Sequence, residues 1–369
     1  MERRAPEPDP QVAAVVEAFE AEGVPPWHSL SVESARTVED EAFAATDPPW
    51  VERVREMAIP GPHGEIPIRT YHPEPTETRG VLVFYHGGGW TLGTLDSIDG
   101  VCRRLAVRSG RLVVSVDYRL APDHPFPEPL DDAFAAFEWV CEHGDSLGGD
   151  VENVVVGGTS AGGNLAAGVA LRAAAGVDGA GANGDEDGGD GNEGPEPAGQ
   201  LLLYPVLSQT FDADSYEENA DGPLLTREDM KWFREQYLRS PVDRRSPFAA
   251  PLLADDELLE SVAPACVVTA GFDPLRDGGV RPASRRRRAL RRASPGGRRR
   301  RRPSTLPGDG PRVLESHRRG GRGGRSVRPD GRAGGRVLRA SSPTPRAPTA
   351  RTPPTTGRRR DGARPRRRR

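Results

Sequence analysis

All 21 aromatic residues of this 369-residue chain, 5 Trp, 6 Tyr and 10 Phe, lie at or before Phe272, so one long stretch has no large side chains with which to build a core. Charge divides near the same place. Residues 1–280 carry 20 basic against 50 acidic side chains, whereas residues 281–369 carry 31 basic against 4 acidic. The tail, rich in Arg, Gly and Pro, is expected to be disordered, and the first three quarters of the chain to form a single large α/β domain.

Within that part the apolar pattern changes period several times. Residues 10–22 and 32–45 have helical spacing. Residues 51–60 and 65–73 alternate around a Pro-His-Gly turn, as in a hairpin. The segment Gly80–Gly87 is a continuous apolar run, as expected of a strand buried on both faces. Strand and helix then alternate: helix 97–109, strand 111–118, helix 130–143, strand 152–158, helix 161–175, and strands 200–206 and 265–271. Repeated βα units imply a mostly parallel sheet with helices on both faces. Expected domain limits are N-terminal cap helices at 1–48, a core at 49–280, and the tail at 281–369. Inside the core, an acidic Gly-rich loop spans 176–199 and a helical cap insertion spans 208–250. The acidic loop has no calcium-site spacing and is expected to be solvated.

Two motifs carry chemistry. Gly158-Thr159-Ser160-Ala161-Gly162 falls between a buried strand and a helix, the setting of a nucleophile elbow, in which small neighbours let a serine occupy a sharp turn. That turn also places Ser160 at a helix N-terminus, which favours developing negative charge. His86-Gly87-Gly88-Gly89-Trp90 ends an apolar strand 74 residues earlier and provides backbone N–H groups for an oxyanion. The candidate donors are Gly87, Gly88 and Ala161.

With these motifs the chain resembles the hormone-sensitive lipase family of α/β hydrolases, also called bacterial esterase family IV. The resemblance rests on HGGGW at 86–90, YRLAPDHPFPEPLDD at 118–132, GTSAGGNLA at 158–166 and AGFDPLRD at 270–277. It implies an α/β-hydrolase fold with a helical cap, carboxylic ester hydrolysis by Ser160, Asp273 as the acid of the triad, a small ester as substrate and no cofactor. Asp273 also follows a strand, and so lies at the same sheet edge as Ser160. The chain departs from the family at Asp123, where Glu is usual, and at Thr159, where Asp is common.

A larger departure concerns the general base. Similar enzymes place a histidine roughly thirty residues beyond the acid, whereas here the one histidine after Asp273 is His317, in an Arg-Gly-rich context. The resemblance stops after LRDGG, so the last strand and helix of the fold are expected to be missing. A reading-frame shift near Gly278 accounts for such a tail, since GC-rich DNA read out of frame encodes mainly Arg, Gly, Pro, Ala, Ser and Thr. Two other functions stay open: a hydrolase-fold protein that binds without turnover, and a nucleic-acid binder acting through its Arg-rich tail.

Remaining features are negative or general. Cys102, Cys141 and Cys266 have no metal or redox spacing and are expected to be buried as small hydrophobes. No export signal or membrane span is apparent, so a cytoplasmic location is expected. The acidic excess, with Lys231 the one lysine, suits function at high ionic strength, where screening removes self-repulsion.

Overall fold

The computed structural model describes residues 7–43, 47–176 and 194–278. Most of the acidic loop, the tail and His317 lie outside the described residues. All described residues belong to one compact unit, Met1–Arg299.

Two helices, α1 (Pro10–Ala21) and α2 (Val32–Phe43), precede the sheet. The chain continues through β1 (Arg53–Ile59), β2 (Ile66–His72), β3 (Arg79–Tyr85), α3 (Asp99–Ser109), β4 (Leu112–Val116), α4 (Glu128–His143), β5 (Gly149–Thr159) and α5 (Ala161–Ala174). Then come β6 (Gly199–Leu203), α6 (Asp214–Glu218), α7 (Arg227–Tyr237), α8 (Asp256–Ser261) and β7 (Ala265–Val268). The seven strands form one sheet in the order β1-β2-β4-β3-β5-β6-β7. β1, β2 and β4 pair antiparallel, and all later neighbours pair parallel.

The unbroken apolar run of β3 reflects burial on both faces. Val81, Val83 and Tyr85 enter the larger core, against α4 and α5, whereas Leu82 and Phe84 enter a smaller core with Cys102 and Ala106 of α3. Every residue of α5 from Ala161 to Arg172 is buried, and its small side chains let it lie close to the sheet.

The 208–250 insertion contains α6 and α7, and the N-terminal segment packs against it. The indole Nε1 of Trp27 donates to Leu224 O at 3.2 Å, and His28 Nδ1 lies 2.7 Å from Asp229. Asp229 also closes a capping box with Thr226, which fixes where α7 starts.

Three strand limits differ from the sequence expectation by three residues, and the others by fewer. β6 stops at Leu203, because Tyr204 takes a positive φ of 40° and proline follows. β7 ends at Val268 rather than 271, and β5 starts earlier, at Gly149. Short α8 was not expected from the pattern. Of the cysteines, Cys102 is buried, whereas Cys141 and Cys266 are only half-buried.

Candidate active site

Ser160 sits between the end of β5 and the start of α5 with φ 52° and ψ −114°, a backbone conformation that L side chains rarely adopt. The turn holds because its neighbours are bare. A Cβ on Gly158 would lie 2.6 Å from Tyr85 O, and one on Gly162 would overlap the carbonyl oxygens of Tyr85 and His86. Hydrogen bonds fix the turn from both sides. Ser160 N donates to Leu203 O at 2.9 Å, and Val206 N donates to Ser160 O at 3.2 Å.

The HGGGW loop leaves β3 beside this turn. Gly87 is packed so closely that a Cβ there would lie 3.1 Å from Thr159 Oγ1 and 3.5 Å from Ser160 Cβ. Ala161 opens α5, so its N–H has no partner one turn back in the helix. The structure therefore gathers Ser160, Gly87 and Ala161 into one corner, with Gly88 next in the loop. His86 is buried and stacks on Tyr118, with ring centroids 4.3 Å apart. Burial pulls its pKa down to about 4, so it is neutral at pH 7 and lies beneath the loop as a packing group.

Asp273 follows β7, two strands from β5 in the sheet order. Its Oδ1 accepts a hydrogen bond from Leu275 N at 2.8 Å. Burial raises its pKa, against the opposing pull of that N–H and of the Arg276 guanidinium. The loop that bears Asp273 is tied to α6: Ser215 Oγ donates to Pro274 O at 2.7 Å, and Asn219 Nδ2 to Asp273 O at 3.3 Å. Tyr204 lies between the two motifs, its hydroxyl hydrogen-bonded to Thr159, and its pKa is raised by desolvation of the hydroxyl and by the charge of Asp273, although the side chain as a whole is partly exposed.

Among the described residues, no histidine has a hydrogen bond to Ser160 or Asp273. His28, His63, His124 and His143 pair with Asp229, Asp131, Glu128 and Glu142, and His72 and His86 face backbone carbonyls. His124 and Asp123 are engaged in ion pairs, His124 with Glu128 at 2.7 Å and Asp123 with Arg36 at 3.0 Å.

A cavity of about 230 Å³ is lined by Val206, Leu207, Tyr216, Leu252, Leu275 and Asp277 among others. Its walls are mostly apolar, and Ser160 is not one of them. No group of residues suited to hold a metal ion occurs among the described residues. Nor is any described helix long and apolar enough to cross a membrane.

Residues 82–294 match the family described as alpha/beta hydrolase fold, which is more than half of the chain. The chain belongs to the α/β-hydrolase family. Its relatives within that family include the carboxylic ester hydrolase LipN of Mycobacterium tuberculosis, 47% identical over 228 residues, which cover 61% of this chain and 57% of LipN. The ethyl acetate hydrolase of Pseudomonas putida is 34% identical over 284 residues, covering 74% of this chain and 83% of that enzyme. Solved structures agree. A thermostable esterase from Pseudomonas putida aligns with a TM-score of 0.65 and 36% identity, over 74% of this chain and 82% of that one. The Pyrobaculum calidifontis esterase gives 0.63 and 36%, over 74% and 83%. The chain spans 57 to 67% of the length of the first three curated relatives it matches.

Two residues that tie this region together, Asn164 and Arg36, were not singled out from sequence. Asn164 donates through Nδ2 to Val206 O and Ala249 O, and its Oδ1 accepts from Trp90 Nε1 at 3.2 Å. It thereby joins the helix of the elbow to the HGGGW loop. Arg36 of α2 donates to Thr91 O and Ala121 O, both at 3.0 Å. Asn164 lies inside a quoted motif, but its partners are up to 85 residues away, beyond any local signal.

Proposed function

We propose that this chain is a serine carboxylic ester hydrolase acting on small, water-soluble esters. The observation that carries the reading is the strained φ of Ser160 at the head of α5, with Gly87 packed against it. Strain of this kind persists only where surrounding structure enforces it, and here it turns a hydroxyl outward beside backbone donors. Ser160 attacks the acyl carbon, and the N–H groups of Gly87, Gly88 and Ala161 stabilise the tetrahedral oxyanion. Asp273 orients a histidinium that returns the proton to the leaving alcohol. None of the described histidines faces Ser160 or Asp273, and in the sequence His317 is the one histidine after Asp273. The N-terminal helices and the 208–250 insertion serve as the cap. No cofactor is needed, and a cytoplasmic location belongs to the same proposal.

The engagement of every described histidine elsewhere favours a second reading, a hydrolase fold that binds esters without turning them over. Hydrolysis of p-nitrophenyl acetate by the full chain, beside Ser160→Ala, separates the two. Turnover lost in the variant supports the esterase. Turnover equal in both, or absent while the ester still binds, supports the binding protein. Running the assay from dilute buffer to molar KCl tests the salt requirement expected from the acidic excess, and best activity in dilute buffer removes it.

A further inference from the structure

Two rings of α7, one helical turn apart, bear on two consecutive residues of the HGGGW loop. The Phe233 ring lies so close over Gly89 that a Cβ there would fall 2.7 Å from its Cε1 and closer still to Cγ and Cδ1. The Tyr237 ring stacks on the Trp90 indole, with centroids 4.1 Å apart and planes 3° from parallel. Positions 233 and 237 share one helix face, so a single placement of α7 sets both contacts.

The loop needs such support. Gly88, Gly89 and Trp90 have φ values of 107°, 58° and 60°. Gly88 and Gly89 take such angles freely, but a tryptophan at φ 60° persists only when packing excludes the relaxed alternatives. The edge of Trp90 is held by Asn164, and its carbonyl accepts from Ala121 N at 2.8 Å. Its face is covered by Tyr237. α7 is itself fixed at that end, because Phe126 N donates to Tyr237 O at 2.8 Å and the Phe126 ring meets Tyr237 edge-on.

We propose that Phe233 and Tyr237 are positioning residues for oxyanion stabilisation. By clamping Gly89 and Trp90 they hold the preceding peptide planes, so that the N–H groups of Gly87 and Gly88 stay aimed beside Ser160. The inference rests on the esterase reading and extends it, since it makes the insertion part of the oxyanion machinery as well as a cover. The Tyr237 hydroxyl is buried with no hydrogen-bond partner among the described residues, so the ring alone performs the task.

The test uses the full chain and two readouts: butylboronic acid affinity, which reports the tetrahedral adduct on Ser160, and p-nitrophenyl acetate kinetics. Tyr237→Leu and Phe233→Leu are each expected to weaken boronate binding about tenfold and to lower kcat to a similar degree, with KM within about twofold, since loss of one donor costs about 10²- to 10³-fold. Tyr237→Phe keeps the stack and is expected to match wild type in both. Wild-type boronate affinity in a folded Tyr237→Leu protein overturns the inference. Should that variant fail to fold, Phe233→Leu decides the matter by the same reading. Boronate binding that is absent in wild type, or unchanged in Ser160→Ala, removes the esterase reading and this inference with it.

Discussion

Gly162, the second residue of α5, lies against the end of β3 with no room for a methyl group: a Cβ there would overlap Tyr85 O and His86 O. Gly158 faces it from the other side of the elbow, where its own Cβ would meet Tyr85 O at 2.6 Å. Helix, the Ser160 turn and the strand leading to HGGGW therefore meet at backbone-to-backbone contact. This contact brings Ser160 within reach of the Gly87 backbone.

Gly162→Ala should therefore act on stability and on the site together. The added methyl has backbone on its far side, which moves less readily than a side chain, so the cost is expected at the upper end of overpacking, about 3 kcal/mol. Urea unfolding should show a lower midpoint at unchanged slope. Wild-type stability in this variant would mean that the elbow is looser than the structure shows.

Glu39 leads to a pH prediction. On α2, it is buried against the segment after HGGGW, facing the Ser97 hydroxyl and Gly93 N–H, with Asp40 nearby, and its Oε2 has no partner among the described residues. Burial raises its pKa from 4.5 to about 7. The folded state thus holds a proton that the unfolded state has lost between those values, so stability falls as pH rises through that window, by about 1.4 kcal/mol per unit and about 3 kcal/mol in all. Asp117, raised to about 6, has the same sign. His86, lowered from 6.5 to about 4, has the opposite sign and adds stability as pH rises from 4 to 6.5. In Glu39→Gln the neutral amide replaces the carboxyl, so the variant's advantage over wild type should grow between pH 4.5 and 7 and level off above. Thermal melts of the two proteins across that range are the measurement, and a constant difference would show that Glu39 is charged throughout.

How much of this was legible depended on whether the cause was local. The β3 run was readable because each residue meets a core on one face or the other, leaving no polar alternation. The elbow was readable because small residues cluster in sequence around Ser160. The end of β6 at Leu203 was not, since it depends on the positive φ of Tyr204, a residue type that rarely signals one. The support for HGGGW was hidden for another reason. Trp90 and Tyr237 are 147 positions apart in the chain, and neither ring carries a local mark of its partner. The Asn164 bonds, spanning 42 to 85 residues, are of the same kind. Nor could spacing show that the described histidines would all be engaged away from Ser160.

The strain at Ser160 allows stability and activity to be separated. At φ 52° and ψ −114° a side chain costs on the order of 1–3 kcal/mol, whereas glycine adopts positive φ freely. Ser160→Gly should abolish hydrolysis yet raise stability, the relief being offset in part by the greater freedom of glycine in the unfolded chain, about 0.5–1 kcal/mol. Ser160→Ala loses the same hydroxyl but keeps the Cβ and hence the strain. The difference between these two variants isolates the backbone term. A net gain of about 1 kcal/mol for glycine over alanine corresponds to a melting temperature about 2 °C higher in a domain of this size. If alanine proves equal or more stable, the turn is relaxed, and the geometry that holds Ser160 stores no strain.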